Sequence, residues 1–243
     1  MNDLNDLQSK IESLQNEINF KNGLISILAH DSKSLFGNFV WLIEAIEQKT
    51  ISEQDFFRLL PQVKSDAQKN LQTVQDSTAW LKTQYGDYKI KPEKIPVVDL
   101  FHDLQEKYVA DLKQKNLNFY FKGDTKAFVE TDRILLQYVL DKIVNNAVKY
   151  SLPGQDIYLQ EVTEDHQVVI SVVDSGTGMD EKFLSNIYTY ENPVFQGTAG
   201  ETGVGLSLKI VKNFISLMQG SIKIVSSEST GTNVSLFLPK LKE

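Results

Sequence analysis

Val168-Val169-Ile170-Ser171-Val172-Val173-Asp174-Ser175-Gly176-Thr177-Gly178 decides how the second half of the chain is read. Five of the first six residues are apolar, four of those are valines, and the run is short. It reads as a buried strand. The strand ends in a carboxylate, and a glycine turn follows at once. Glycine lets the backbone come close to a ligand. A solvated turn explains the same residues, so this motif alone is weak.

Its neighbours sharpen it. Upstream, Asp132 to Tyr150 carries Leu135, Leu136, Val139, Leu140, Ile143, Val144 and Ala147, which predicts a helix. The end of that helix, Asn145-Asn146-Ala147-Val148-Lys149-Tyr150, presents amides, then a lysine and an aromatic. Downstream, Gly197-Thr198-Ala199-Gly200-Glu201-Thr202-Gly203-Val204-Gly205-Leu206 leads into a helix over Leu206–Met218. Free N–H groups at such a junction can hold phosphate. Amide helix, strand with acid and glycine turn, then glycine loop before a helix is a specific order. Around it, Val97–Leu100 reads as a strand, His102–Gln114 as a helix and Asn118–Lys122 as a strand. Two strands alternate between Asp156 and Asp174 around a turn at Glu164-Asp165-His166, and two more flank Ser229-Thr230-Gly231. Residues 175–205 show little regular pattern. Helices segregated from a mixed sheet predict a two-layer α/β sandwich over 97–243.

The first half is different. Leu4, Leu7, Ile11, Leu14 and Ile18 keep heptad spacing, which predicts a coiled-coil lead-in over 1–24. Ile25, Leu28, Leu35, Phe39, Leu42 and Ile46 continue as an amphipathic helix. After a break at Gln48–Ile51, Ser52 and Asp55 resemble a capping box, and a second helix runs from about Glu53 to Gln84. Its apolar face is Phe56, Leu60, Val63, Ala67, Val74 and Leu81, and Pro61 inside it can bend it. Two such helices make a hairpin over 25–86, and two hairpins make a four-helix bundle, so a homodimer is expected. Residues 87–96, bracketed by prolines, read as a linker. His30 falls off the apolar stripe with Asp31 beside it, so it faces water as a candidate for chemistry or as an ordinary surface histidine. His102 and His166 read as surface and turn residues.

Composition sets limits. The chain has 243 residues, 41% hydrophobic and 23% charged, the balance of a globular protein. A net charge of -7 argues against a nucleic-acid partner, which needs a basic patch. With no cysteine there is no disulfide, thiol catalysis or thiolate metal site. The apolar runs are too short for a membrane span and no signal peptide is visible. The expectation is a cytoplasmic chain, with any membrane anchor of a longer parent outside it.

Taken together, the motifs resemble those of two-component sensor histidine kinases, over about residues 20–240. The phosphoacceptor motif resembles His30-Asp31-Ser32-Lys33-Ser34, and the asparagine motif resembles Lys142–Asn146 with Ala-Val-Lys-Tyr-Ser after it. DSGTGM and GVGLSL resemble the two glycine motifs, and DSTAWLKTQ resembles the end of the second helix. The resemblance implies a Bergerat (GHKL) ATPase fold, autophosphorylation on His30, and transfer to an aspartate of a response-regulator receiver domain. It implies ATP and Mg²⁺, with Asp174 accepting the adenine amino group, Asn146 on the metal, Lys149 offsetting phosphate charge and Tyr150 near the base. Gly176, Gly178, Thr198, Gly200, Gly203, Val204, Gly205 and Leu206 would line the nucleotide, with 181–202 as a lid. Asp31 would orient the His30 ring or accept its proton, and Ser34 stands where the family places a residue for dephosphorylating the regulator. An upstream sensor domain or protein would supply the signal.

There are departures. Lys142 stands where the family has asparagine, Ser207 replaces a glycine, Leu35 a proline, and Val194-Phe195 a Ser-Thr pair, with Tyr188 in place of a nearby phenylalanine. Lys142 helps hold phosphate, competes with Mg²⁺ for the site, or forms an unrelated surface ion pair. A nucleotide-binding pseudokinase or scaffold of the same fold is the alternative function. Chaperone or mismatch-repair ATPases would need a downstream coupling domain, a serine kinase of this fold leaves the hairpin with His30 unexplained, and a pure interaction module is the third choice.

Overall fold

The structure, a computed structural model, describes residues 2–84, 88–188, 197–199 and 207–240. The chain divides into two compact units, Met1–Gly86 and Asp87–Glu243. No helix among the described residues is long and apolar enough to cross a membrane.

The first unit is a helical hairpin. Helix α1 spans Asn2–Glu47 without interruption and α2 spans Glu53–Gln84, continuing through Pro61. Backbone N–H groups of Lys49 and Thr50 bond back to Ile46 and Ala45, with Lys49 left-handed at φ 56°, and this closes α1. Ser52 Oγ then accepts the Asp55 N–H at 3.1 Å and donates to the Asp55 carboxylate at 2.6 Å, which opens α2. The face that α2 buries is not the one its apolar residues predict. Asn70, Thr73, Asp76, Ser77 and Trp80 are buried, while Val74 and Leu60 of the expected stripe, and Leu71, are exposed. The polar residues satisfy one another inside α2: Gln72 Nε2 donates to Asp76 at 2.7 Å, and Ser77 Oγ donates to the Thr73 carbonyl at 2.7 Å. In α1, Leu24, Leu42 and Ala45 are buried, while Ile25 and Phe39 of the expected stripe are exposed.

The second unit is a two-layer sandwich. Strands β2 (Asn118–Lys122), β4 (Asp156–Thr163), β5 (Gln167–Asp174), β6 (Ser221–Ser227) and β7 (Gly231–Pro239) form one sheet in the order β2-β4-β5-β7-β6. Only β2 and β4 run parallel. Alternation sets its faces: Ile157, Leu159, Val168, Ile170, Val172, Leu236 and Leu238 point into the core. Helices α3 (Val97–Gln114), α4 (Arg133–Tyr150) and α6 (Ser207–Leu217) supply the other layer, and α4 packs against both of the others.

Three local expectations are corrected. Val97–Leu100 is the first turn of α3 and not a strand. Val97, Leu100, Phe101 and Leu104 are all buried at helical spacing, which four residues alone do not reveal. The proline-bracketed stretch Pro92–Pro96, read as linker, is strand β1, paired antiparallel with β3 (Phe128–Asp132), which the sequence reading missed. Prolines are tolerated at the ends of so short an edge strand. A short helix α5 (Glu181–Ser185) sits in the stretch read as irregular, capped by Asp180, whose side chain accepts the Phe183 N–H at 2.6 Å.

Asp132 ties the start of this unit together. One carboxylate oxygen caps α4 by accepting the Leu135 N–H at 3.1 Å. The other accepts the Tyr88 hydroxyl and the Lys91 N–H, both at 3.0 Å. Partial burial and this carboxylate push the Tyr88 phenol up to about 12. Losing a cap costs about 1 kcal/mol, and hydrogen bonds to a charged group cost about 1.5–3 kcal/mol each. Asp132→Ala is therefore expected to destabilise this unit by about 4 kcal/mol in denaturant titration, and Tyr88→Phe by about 1.5 kcal/mol. Equal stability of wild type and Asp132→Ala would show that the tie does not hold.

Candidate functional site

The site is built on the last turn of α4. An α-helix leaves its final carbonyls without partners inside the helix. Here four successive carbonyls, Val148 to Ser151, are taken by donors from three distant segments. The ammonium of Lys115, at the end of α3, donates to Val148 O at 2.9 Å and to Lys149 O at 2.8 Å. Thr198 donates its N–H to Lys149 O at 3.0 Å, and its hydroxyl bonds Ser151 O at 2.7 Å and Lys149 O at 3.2 Å. Thr177, from the glycine turn, donates its N–H to Tyr150 O at 3.1 Å. The end of α4, the glycine turn after β5 and residues 197–199, the described start of the glycine loop, therefore meet at one place.

The turn after β5 is pressed against that end. A Cβ at Gly176 would run into the Tyr150 carbonyl. A Cβ at Gly178, left-handed at φ 65°, would run into the Ser227 carbonyl. These glycines are required by their own chain before any ligand is considered. The turn also folds back on Asp174, whose Oδ1 accepts the N–H of Gly176 at 2.9 Å and of Thr232 at 3.2 Å. Both bonds fall on Oδ1, which leaves Oδ2 for a ligand donor. Burial raises the Asp174 carboxyl from 3.8 to about 6, against the downward pull of the two N–H groups.

The other expected residues sort as follows. Asn146 is half-buried one turn before Tyr150, and Asn145 is exposed. Lys149 is buried, with its ammonium 4.8 Å from the Tyr150 ring centroid. Lys142 is also buried, with its ammonium 5.2 Å from the Tyr138 ring centroid, so it does not lie on the surface where the ion-pair reading put it. The Thr198 hydroxyl is engaged with protein groups and serves as a tie within the site. Gly200, Gly203, Val204, Gly205 and Leu206 lie outside the described residues, as does most of the expected lid. In the hairpin, His30 and Ser34 are exposed on one side of α1, four residues and about 40° apart. The side chain of Asp31 lies outside the described part of α1. Lys115 was missed: a lone lysine in the polar run Lys113–Asn116 gives no signal of its own.

This geometry has known counterparts. The family model of the histidine kinase-, DNA gyrase B- and HSP90-like ATPases matches residues 131–242. Residues 131–242 are thus similar to these ATPases, and the second unit has the fold of histidine-kinase catalytic domains. The sensor histidine kinase YclK of Bacillus subtilis is 20% identical to the chain over 98% of its length, and WalK of the same species is 25% identical over 90%. The chain spans 51% of the first and 36% of the second. Among solved structures, Acinetobacter baumannii histidine kinase AdeS overlays with a TM-score of 0.68 at 14% identity, covering 88% of this chain and all but 2% of that one. Histidine kinase ThkA in complex with response regulator protein TrrA gives 0.66 at 16% identity, with 96% of this chain and 64% of that one covered. The matched residues include α4, the turn after β5 and strands β4 to β7.

A raised carboxyl pKa gives the second unit a pH signature. The charged form is disfavoured in the folded state, so the stability penalty is absent below about 4, where Asp174 is protonated folded or unfolded. It grows as pH rises toward 6 and is complete above, on the order of 2 kcal/mol. Asp174→Asn keeps an Oδ1 acceptor and removes the charge. Its melting temperature at pH 8 should exceed that of wild type by roughly 4 °C, with the gap closing as pH falls to 4. A gap that persists at pH 4, or no gain at pH 8, would show that the buried charge is not the cause.

Proposed function

We propose that the chain is an ATP-dependent protein histidine kinase that phosphorylates itself on His30 and passes the phosphoryl group to an aspartate of a response-regulator receiver domain. The observation that carries this is the meeting of the end of α4, the glycine turn and residues 197–199 at one place, in a chain that also exposes His30 on a helical hairpin. Asp174 receives the adenine amino group on Oδ2, and the raised pKa means that this acceptor is lost as pH falls through about 6. Asn146 offers an amide oxygen for Mg²⁺. Among the described residues there is no cluster of three His, Cys, Asp or Glu side chains, so the remaining ligands would be phosphate oxygens and water, the usual shell of this ion. When bound, Mg²⁺ neutralises phosphate charge. Lys149 lies in the same turn and adds positive charge. Lys142, one turn earlier and cationic in a buried place, tunes the same end of α4.

In the transfer step a ring nitrogen of His30 attacks the γ-phosphorus. A nitrogen–phosphorus bond forms, the bond to the bridging oxygen breaks, ADP leaves, and the imidazole sheds one proton. Asp31, next in sequence, takes that proton or holds the ring. Ser34, on the same side of α1, is placed to act on the phosphorylated partner. The complex of ThkA with a response regulator supports a receiver domain as the acceptor. The unit boundaries proposed are 1–24 for the coiled-coil lead-in, 25–86 for phosphotransfer and dimerisation, and the remainder for catalysis, with β1 part of it. An upstream sensor acts through the lead-in.

Incubation with γ-labelled ATP and Mg²⁺ should leave acid-labile label on wild type and none on His30→Gln, and labelling of Asp31→Asn should be slowed roughly a hundredfold. Undiminished label on His30→Gln would remove that residue. Binding of an ATP analogue without any labelling would favour the pseudokinase.

The dimer rests on a second apolar stripe. Leu7, Ile11, Leu14, Ile18, Ile25, Phe36, Val40 and Ile43 are all exposed and fall within about 80° on α1, beside the face packed on α2. So long a stripe on a chain of this charge is a protein contact, and a second hairpin completes a four-helix bundle. Light scattering should give about twice the 27.6 kDa of one chain, and Ile18→Glu with Ile25→Glu should shift the mass toward one chain. A wild-type mass of one chain at micromolar concentration would defeat the dimer.

A further inference from the structure

Lys115 lies in none of the motifs, yet its ammonium joins three pieces of the site. It is 8% exposed and donates to Val148 O, Lys149 O and Thr198 Oγ1 at 2.8–2.9 Å. Three acceptors match the three donors of an ammonium. Burying such a charge costs several kcal/mol unless it is well hydrogen-bonded. A helix C-terminus, with its partial negative charge, is a favourable place for it. The backbone of Lys115 is held as firmly as its tip. Leu117 N–H bonds back to Leu112 O, Asn116 turns left-handed at φ 54°, and Gly154 N–H caps the carbonyls of Lys115 and Asn116. The side chain therefore leaves a fixed point and ends on a fixed point.

We propose that Lys115 is a positioning residue for nucleotide binding, which holds Thr198 against the α4 turn that carries Asn146, Lys149 and Tyr150. This rests on the nucleotide-binding reading given above. Thr198 accepts from Lys115 and passes its own hydroxyl hydrogen to the α4 carbonyls, so the two side chains act as one link between the helix and the segment 197–199. The same turn of α4 accepts Thr177 N–H, which sets the glycine turn and with it Asp174. Removing the ammonium loosens the groups that meet adenine and phosphate while touching neither. Groups held to within fractions of an ångström lose binding steeply when that support goes.

The test is a double-mutant cycle in nucleotide affinity, read by calorimetry with a non-hydrolysable ATP analogue and Mg²⁺. Lys115→Met keeps the length and removes the charge, and Thr198→Val keeps the shape and removes the hydroxyl. Each is expected to weaken binding, by about tenfold for Lys115→Met, and the double variant should be no weaker than Lys115→Met alone. In turnover the KM for ATP should rise with kcat within about twofold. Glu161→Gln is the control for stability alone. That buried carboxylate accepts Asp124 N–H and the Thr163 hydroxyl, four residues along the paired strands from the Asp174 end, and its loss should lower the melting temperature with affinity unchanged. Should Lys115→Met fail to fold, Thr198→Val at its half-exposed position decides: unchanged affinity overturns the proposal. Additive losses, or variants that bind as wild type does, also overturn it while leaving the nucleotide reading intact. A wild-type chain that binds no analogue overturns the nucleotide reading itself.

Discussion

The carbonyl oxygens at the end of α4 are the constraint on which the second unit depends. Any helix ends with acceptors to satisfy, and most are left to water or to the next turn of chain. Here Val148, Lys149, Tyr150 and Ser151 are satisfied by Lys115, Thr177 and Thr198, which lie far apart in sequence. One unavoidable cost of helix formation is thereby used to bring together an amide-bearing helix, an acid-bearing turn and the approach to a glycine loop. Because each bond has a backbone acceptor, the joint specifies position and not the identity of α4 side chains. None of these bonds uses the side chains of Asn146, Lys149 or Tyr150.

Asp174 shows what such a site costs. Its carboxylate is buried at a strand end, with two N–H groups that only partly offset lost hydration. An asparagine would sit there more comfortably. A charged acceptor at that place costs stability, which is the pattern of a group that serves recognition. The pressed-in glycines fit the same logic. Gly176 and Gly178 bring the turn against backbone oxygens of α4 and the β6–β7 turn, a closeness that no side chain would allow.

What the sequence made legible follows from where the signal is local. Strands β4, β5 and β7 alternate over eight or nine residues, and α4 repeats its leucines and valines over five turns, so both were readable. The order of the motifs pointed to the site before any contact was known. Strands β1 and β3 have five residues each, and their pairing spans about 40 positions, so nothing in either stretch announces the other. Lys115 was invisible for a related reason. Its role lies in acceptors 33 to 83 residues away, and a lysine near the end of a polar helix looks like any solvated charge.

The hairpin was harder to read because apolar and buried are not the same face of α2. Asn70, Thr73, Asp76 and Ser77 fill the seam against α1, and local bonds along α2 make that burial tolerable. Burying hydrogen-bonded polar groups contributes little net stability, about 1 kcal/mol or less for each bond. Apolar area contributes roughly 25 cal/mol for each Å² removed from water. Among the described apolar side chains of this hairpin, Leu24, Leu42, Ala45 and Trp80 are buried, while the more numerous stripe from Leu7 to Ile43 and Leu60, Leu71 and Val74 are exposed in the single chain. The larger share of the hydrophobic stabilisation open to these helices is thus outside the hairpin seam. A hairpin so divided gains most when its exposed stripe is covered, and its register against α2 is held by packing that is weak beside that gain.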